Sequence, residues 1–193
     1  MSISPVVVDS LRQRIVAEAI ALTTQAGWAA VTMGHLADSV GVSRQTVYNE
    51  VGTKSALAEA MIHSELTRFL GVVEESFDAH PDDAGAAITS AVCGVLELAE
   101  GNTLLHAIVS ATHGADTELL PLLTTHADEL IAAASLVMGH RLAGYSLAAT
   151  AADQAAAIDV IVRVVLSHVM QPGGSAEATG QSVGEMARRM LQL

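Results

Sequence analysis

Residues Thr32–Lys54 read TMGHLADSVGVSRQTVYNEVGTK. Met33, Leu36, Ala37 and Val40 fall at i, i+3, i+4 and i+7, the spacing that gathers apolar side chains on one helix face. Thr32 stands where a helix start needs a hydroxyl to accept from an otherwise orphan N–H. Gly41 follows, a residue that enters the left-handed conformation without a Cβ penalty and so ends a helix. Val42 is expected to pin the turn into the core, and Ser43 to cap a second helix from Arg44 to about Glu50. Val47 and Val51 share one face of it and serve as anchors. Arg44, Gln45, Thr46, Tyr48 and Asn49 are left for the outer face and its flanks. Gly52-Thr53-Lys54 opens a third helix. The pattern is two short helices joined by a tight turn, the second crowded with hydrogen-bonding side chains.

A helix of that composition, following such a turn, suits the major groove of double-stranded DNA. Arg pairs bidentately with guanine, Gln or Asn with adenine, and the Thr methyl meets the thymine methyl. Tyr48, Ser43 and Thr32 suit phosphates, which position a protein on the duplex without reading its sequence. Lys54 lies at the start of a helix, where free N–H groups and positive partial charge favour a phosphate. The candidate DNA-contacting set is therefore Thr32, Ser43, Arg44, Gln45, Thr46, Tyr48, Asn49 and Lys54. For Arg12 and Arg14, near the start of the preceding helix, backbone contact and a plain solvated face are equally open.

Residues from about Leu11 to Leu57 resemble the N-terminal domain of the TetR (tetracycline-repressor-like) family. The matching elements are Ala26-Gly27-Trp28 at the end of a first helix, Thr32, Leu36-Ala37, Gly41-Val42-Ser43, Thr46-Val47-Tyr48 and Gly52-Thr53-Lys54 with Leu57. Val51 stands where a Phe is frequent and Glu50 where a His or another polar residue is frequent. Glu50 beside phosphates would repel them, so it is expected to point away. The resemblance implies an all-α chain, with an N-terminal three-helix helix-turn-helix domain over residues 1–54. A C-terminal helical domain for ligand binding and dimerisation would cover residues 55–193. It also implies a transcriptional regulator, a repressor by family habit, released from a near-palindromic operator by a small-molecule effector.

Composition fits helix-on-helix packing: apolar residues make up 51% of the chain but aromatics only 3%. The net charge of −12 is unusual for a DNA binder. It is unevenly spread: through Arg68 there are five basic and six acidic residues, and beyond it four basic and fifteen acidic. The acid thus sits away from the candidate DNA face, long-range steering is weak, and affinity rests on a few placed contacts. The single cysteine, Cys93, excludes an intramolecular disulfide and reads as a small core residue. The longest stretch without formal charge, Ala19 to Ala37, carries Thr23, Thr24, Gln25 and His35 and is not a membrane span. With no signal peptide apparent, the expectation is a soluble, cytoplasmic protein without a membrane partner.

Further helices are expected from Leu11 to Ala26, Thr53 to about Ala79, and around Ile88–Ala99. Others fit Thr103 to His113, a stretch opened by Asp116 or Pro121 and continuing to about Leu142, Thr150 to Met170, and a last one capped by Ser175. Residues Met1 to about Ser10 read as a loose arm. The last two helices are apolar over more surface than one core contact requires. Ile158, Ile161, Val162, Val165, Val169, Val183, Met186 and Met190 are the candidate homodimer interface, packing with their copies as a four-helix bundle. The alternative is that this pair only completes a monomer's core.

For an effector, the candidates are Phe69, Leu96, Met138, His106, His113 and His126, with Leu104, Leu123 and Val162 as further apolar lining. Scarce aromatics favour an aliphatic ligand over a planar one. The eight histidines raise a metal sensor as a reading, but no His-x-x-x-His or Cys-His pair supports it. No metal or cofactor is expected. No Gly-rich phosphate loop or Gly-x-Ser-x-Gly is present, so an enzyme is not expected. The alternative from another class is a dimeric helical small-molecule-binding protein that does not bind an operator.

Overall fold

The computed structural model describes residues 10–110 and 127–193. The described residues are all helical apart from turns, as the sequence implies. α1 is Leu11–Ala26, followed by a 3-10 turn at Trp28–Ala30, α2 at Met33–Val40 and α3 at Arg44–Val51. α4 is Lys54–Ala79, α5 Ala84–Glu100, α6 Thr103–Ser110, α7 Ala127–Leu142, α8 Ala151–Met170 and α9 Ala176–Leu191. The expected arm at residues 1–9 and the expected helix start at Asp116 or Pro121 lie outside the described residues.

Contacts group the helices into two compact units, one holding residues up to 64 with α6, the other residues 65–102 with α7, α8 and α9. This grouping differs from a division at 54/55 because α4 does not start a new core. Its first turns place Leu57, Ala58 and Met61 beside Ile15, Ala19, Leu36 and Val47 in the first unit. Leu104 and Ile108 of α6 complete that core. The first helix starts in a capping box: Ser10 Oγ accepts from Gln13 N, and Gln13 Oε1 accepts from Ser10 N.

In the second unit, α5 and α9 pack closely because small residues face each other. Ala176, Gly180, Val183, Gly184 and Ala187 of α9 are buried. A Cβ built at Gly180 runs into Cys93 Sγ and comes within 3.2 Å of Cys93 N, and one at Gly184 runs into Thr89 Oγ1. The two helices therefore meet backbone to side chain with no room for a methyl group. Phe77 of α4 packs edge-on to Tyr145, ring centroids 6.0 Å apart. The Tyr145 hydroxyl donates to the His80 carbonyl at 2.7 Å, and Arg141 donates to Glu74 O and pairs with Asp78 at 2.7 Å. The end of α4 is thus tied to α7 and the turn that follows it. Earlier in α4, the buried Glu65 carboxylate accepts from Arg68 and from Asn102.

Cys93 is half-buried at the α5–α9 contact. Burial chiefly, and then the nearby Glu97 and Glu177 carboxylates, push its thiol above the ordinary value. The reactive species is the thiolate, so a raised value means less of it at a given pH. A disulfide reagent at pH 8 is expected to label native Cys93 about tenfold or more slowly than the urea-unfolded chain. Equal rates, followed by absorbance of the released thiol, would show that α9 does not cover the sulfur.

No helix among the described residues is long and apolar enough to cross a membrane.

Candidate nucleic-acid interface

The α2–α3 turn forms as its residues dictate. Thr32 Oγ1 accepts from His35 N at 3.1 Å and starts α2. Gly41, at φ 74 and ψ 38, ends it in the left-handed region. Ser43 Oγ accepts from Thr46 N at 3.1 Å and also bonds the Thr46 hydroxyl at 2.8 Å, so α3 starts on a defined residue. Val47 and Val51 are buried, and Val42 packs against the same core. Burial of each valine contributes roughly 1.5–3 kcal/mol, enough to fix which face of so short a helix turns inward.

The opposite face is consequently presented outward. Arg44, Gln45, Tyr48 and Asn49 are exposed, and Thr46 is half-buried on a flank. Gln45 Nε2 donates to Asn49 Oδ1 at 3.0 Å, which orients two amides one turn apart along the helix. The Arg44 guanidinium lies 5.7 Å from the Tyr48 ring centroid. The surface thus offers a guanidinium, two amides and a phenol side by side, the groups that read base edges and hold phosphates.

Lys54 begins α4 as expected, but its ammonium is engaged inside the unit. Nζ donates to the Trp28 carbonyl at 3.0 Å and lies 4.6 Å from the Trp28 ring centroid. An ammonium has three protons, so one bond to Trp28 positions the charge and leaves donors for a phosphate. Arg12 and Arg14 are exposed, and each also holds a helix end. Arg12 Nη1 donates to the Glu50 carbonyl, and Arg14 Nη2 donates to the Val40 carbonyl at 3.1 Å. Each guanidinium caps the C-terminal end of one helix of the pair, where carbonyls are orphaned and the dipole is negative. Sequence reasoning missed this because α1 meets the ends of α2 and α3 only in the folded unit.

The other candidate sets are scattered. Leu96 and Met138 are buried in the core of the second unit with Phe77, Ile88 and Ile158, and Phe69 is half-buried. His106 is exposed on α6, which belongs to the first unit. His113, His126 and Leu123 lie outside the described residues. Leu104, too, is core of the first unit. The apolar members pack as core because a helical period marks burial without saying whether a neighbour or a ligand supplies it. Of the dimer candidates, Ile158, Ile161, Val162 and Val183 are already buried within a single chain, whereas Val165, Val169, Met186 and Met190 are only partly covered. Val160 and Met170 of α8 are exposed, at 37% and 39%. Among the described residues, no group of three or more His, Cys, Asp or Glu side chains is placed to hold a metal.

Known proteins share this arrangement. The family described as "Bacterial regulatory proteins, tetR family" matches residues 15–61, and "Bacterial Tetracyclin repressor, C-terminal domain" matches residues 83–189. The HTH-type transcriptional regulator AlkX of Mycobacterium tuberculosis is 28% identical over 161 residues, covering 83% of this chain and 74% of the relative. The crystal structure of the TetR family repressor AlkX from Dietzia sp. strain DQ12-45-1b, implicated in biodegradation of n-alkanes, superposes with a TM-score of 0.75 at 26% identity. It covers 95% of this chain and 97% of that one. A transcriptional regulator from Rhodococcus sp. Rha1, at 15% identity, shares the fold with a TM-score of 0.62 over 95% of this chain and 97% of its own. With a helix-turn-helix at its N-terminal side and a family match spanning more than half of its length, the chain belongs to the TetR family of bacterial transcriptional regulators.

Proposed function

We propose that this regulator is a repressor that binds a near-palindromic double-stranded operator as a homodimer and leaves it when a small aliphatic ligand binds. Regulators of the family bind operator DNA, respond to effectors and act as dimers. The observation that carries the DNA reading is the outer face of α3, where Arg44, Gln45, Tyr48 and Asn49 are exposed over a buried Val47–Val51 anchor. Arg44, Gln45, Thr46 and Asn49 are assigned to base edges. Thr32, Ser43, Tyr48 and Lys54 are assigned to phosphates. Residues 1–54 carry this reading function and residues 55–193 effector binding and dimerisation, in the cytoplasm. The aliphatic effector, assigned to the second unit with Phe69, Leu96 and Met138, is supported by the 3% aromatic content and by the n-alkane context of the Dietzia relative. Dimerisation is assigned to α8 and α9. Val165, Val169, Met186 and Met190 supply the contact, and Ile158, Ile161, Val162 and Val183 support it from beneath. An effector can release DNA only through its differential affinity for the two states of the dimer.

Selection of bound duplexes from a random pool tests the reading. The expected result is a palindromic consensus whose half-sites lie one helical turn or a multiple apart. No enrichment at low salt from folded protein, or a sedimentation mass of one chain at micromolar concentration, would overturn it. On the selected operator, Lys54→Ala is expected to weaken consensus and scrambled duplexes by the same factor and to lower the salt slope by about one. It also removes the bond to Trp28, so a loss of about 1 kcal/mol in stability should accompany it. A changed consensus in this variant would remove Lys54 from the phosphate set.

A further inference from the structure

The second unit holds five arginines, and four of them are neutralised within it. Arg68 pairs with Glu65, Arg141 with Asp78, Arg163 with Asp159 and Arg189 with Glu185. Arg188 is the exception: among the described residues its guanidinium makes no ion pair or hydrogen bond, in a chain of net charge −12. It lines a surface cleft of about 570 Å³ together with His80, Ala86, Thr89, Ser90, Gln181 and Glu185.

The cleft is built around that arginine. Its side chain lies across Gly85: a Cβ at Gly85 would stand 2.5 Å from Arg188 Nε and 3.0 Å from Cζ, so the missing methyl makes its bed. The neighbouring polar groups are mostly committed. The Thr89 hydroxyl donates to Gly85 O at 2.8 Å, Ser90 donates to Ser76 at 3.4 Å, and His80 Nδ1 bonds Ser76 O at 2.9 Å. Gln181 Nε2 makes only a long 3.5 Å contact with Glu177. The unspent donors are therefore the Arg188 fork and the Gln181 amide, two donor groups and one full positive charge.

We propose that this cleft binds a small carboxylate monoanion, gripped bidentately by Arg188 and supplemented by Gln181. A planar fork matches a carboxylate. Glu185 also lines the cleft, and although Arg189 pairs with it, it disfavours a second negative charge, so a dianion is selected against. The site is distinct from the effector region proposed above. It is also clear of the dimer residues on its own helix: at 3.6 residues per turn, Gln181, Glu185 and Arg188 lie roughly 150° around α9 from Met186 and Met190.

The test is an NMR titration of the full chain, labelled with nitrogen-15, by sodium butyrate at ionic strength held constant with sodium chloride. The expected result is a saturable shift of the Arg188 Nε–H signal and of the amides of Ala86–Ser90. In Arg188→Gln the affinity falls about tenfold or more, as for a lost charge-assisted bond. Arg188→Lys keeps the charge and loses the fork, and should fall between the two. Unperturbed spectra of both variants away from the cleft guard against misfolding. No saturable shift, or equal affinity in Arg188→Gln, overturns the proposal. Tighter binding of sulfate, a dianion at any pH near neutrality, than of butyrate overturns the monoanion assignment. None of these readouts depends on DNA.

Discussion

Gly184→Val is expected to destabilise the protein by about 3 kcal/mol, lowering the melting temperature by roughly 6–12 °C in a circular-dichroism melt. The cause is geometric. A Cβ at position 184 collides with Thr89 Oγ1 and stands 3.0 Å from Thr89 Cβ and 3.4 Å from its Cα. Rotating the threonine does not relieve the contact, because its Cβ and backbone are close as well, and its hydroxyl is held by Gly85 O. α9 must move off α5, uncovering Ala87, Ala91 and Val183. Gly184→Ala is the sharper comparison. Alanine gains about 1 kcal/mol of helix propensity over glycine, yet the clash should outweigh it and leave a net loss. Gly71→Ala in α4 is the control, since a Cβ there meets nothing within 4 Å. It should gain about 0.5–1 kcal/mol. Gly184→Ala and Gly71→Ala shifting the melt in the same direction would mean that α5 and α9 are not in this close contact.

Arg44→Ala and Gln45→Ala are each expected to cost roughly 1–3 kcal/mol on the selected operator, about fivefold to 150-fold in affinity. The loss should be sequence-selective. Each variant should relax base preference at one pair of symmetric positions and leave binding to scrambled DNA nearly unchanged. Gln45→Ala also releases Asn49 from its 3.0 Å amide bond, so preference at the neighbouring position should loosen with it. Both side chains are exposed, so melting temperatures should stay at the wild-type value. Uniform weakening on all duplexes with an unchanged consensus would reassign these residues to backbone contact.

The candidate reading surface is legible in the sequence because its signals are local. The Thr32 and Ser43 hydroxyls accept from backbone N–H groups three residues on, Gly41 takes a left-handed turn, and Val47 and Val51 are one turn apart. Nothing distant is required to place Arg44 and Tyr48 on the opposite side. Lys54 shows where locality stops. Its position at a helix start is evident from the neighbouring residues, but its bond to the carbonyl of Trp28, 26 residues away, is not. Arg12 and Arg14 show the same, since their acceptors lie 38 and 26 residues on.

The apolar helices show a second limit. The periodicity of α8 correctly marked Ile158, Ile161 and Val162 as facing something apolar, and in the folded chain that something is the protomer's own core. Hydrophobic period records that a face leaves water, not which partner removes it. By itself, then, the amino-acid sequence determined the helices, their caps and the surface offered by α3, since each depends on residues within a turn or two. The tertiary structure decided what lies across from each helix: the arginines that close α2 and α3, the cysteine and threonine that leave Gly180 and Gly184 no room for a methyl group, and the arginine laid across Gly85. Those are pairings between residues far apart in the chain, and only the closed fold brings them within contact distance.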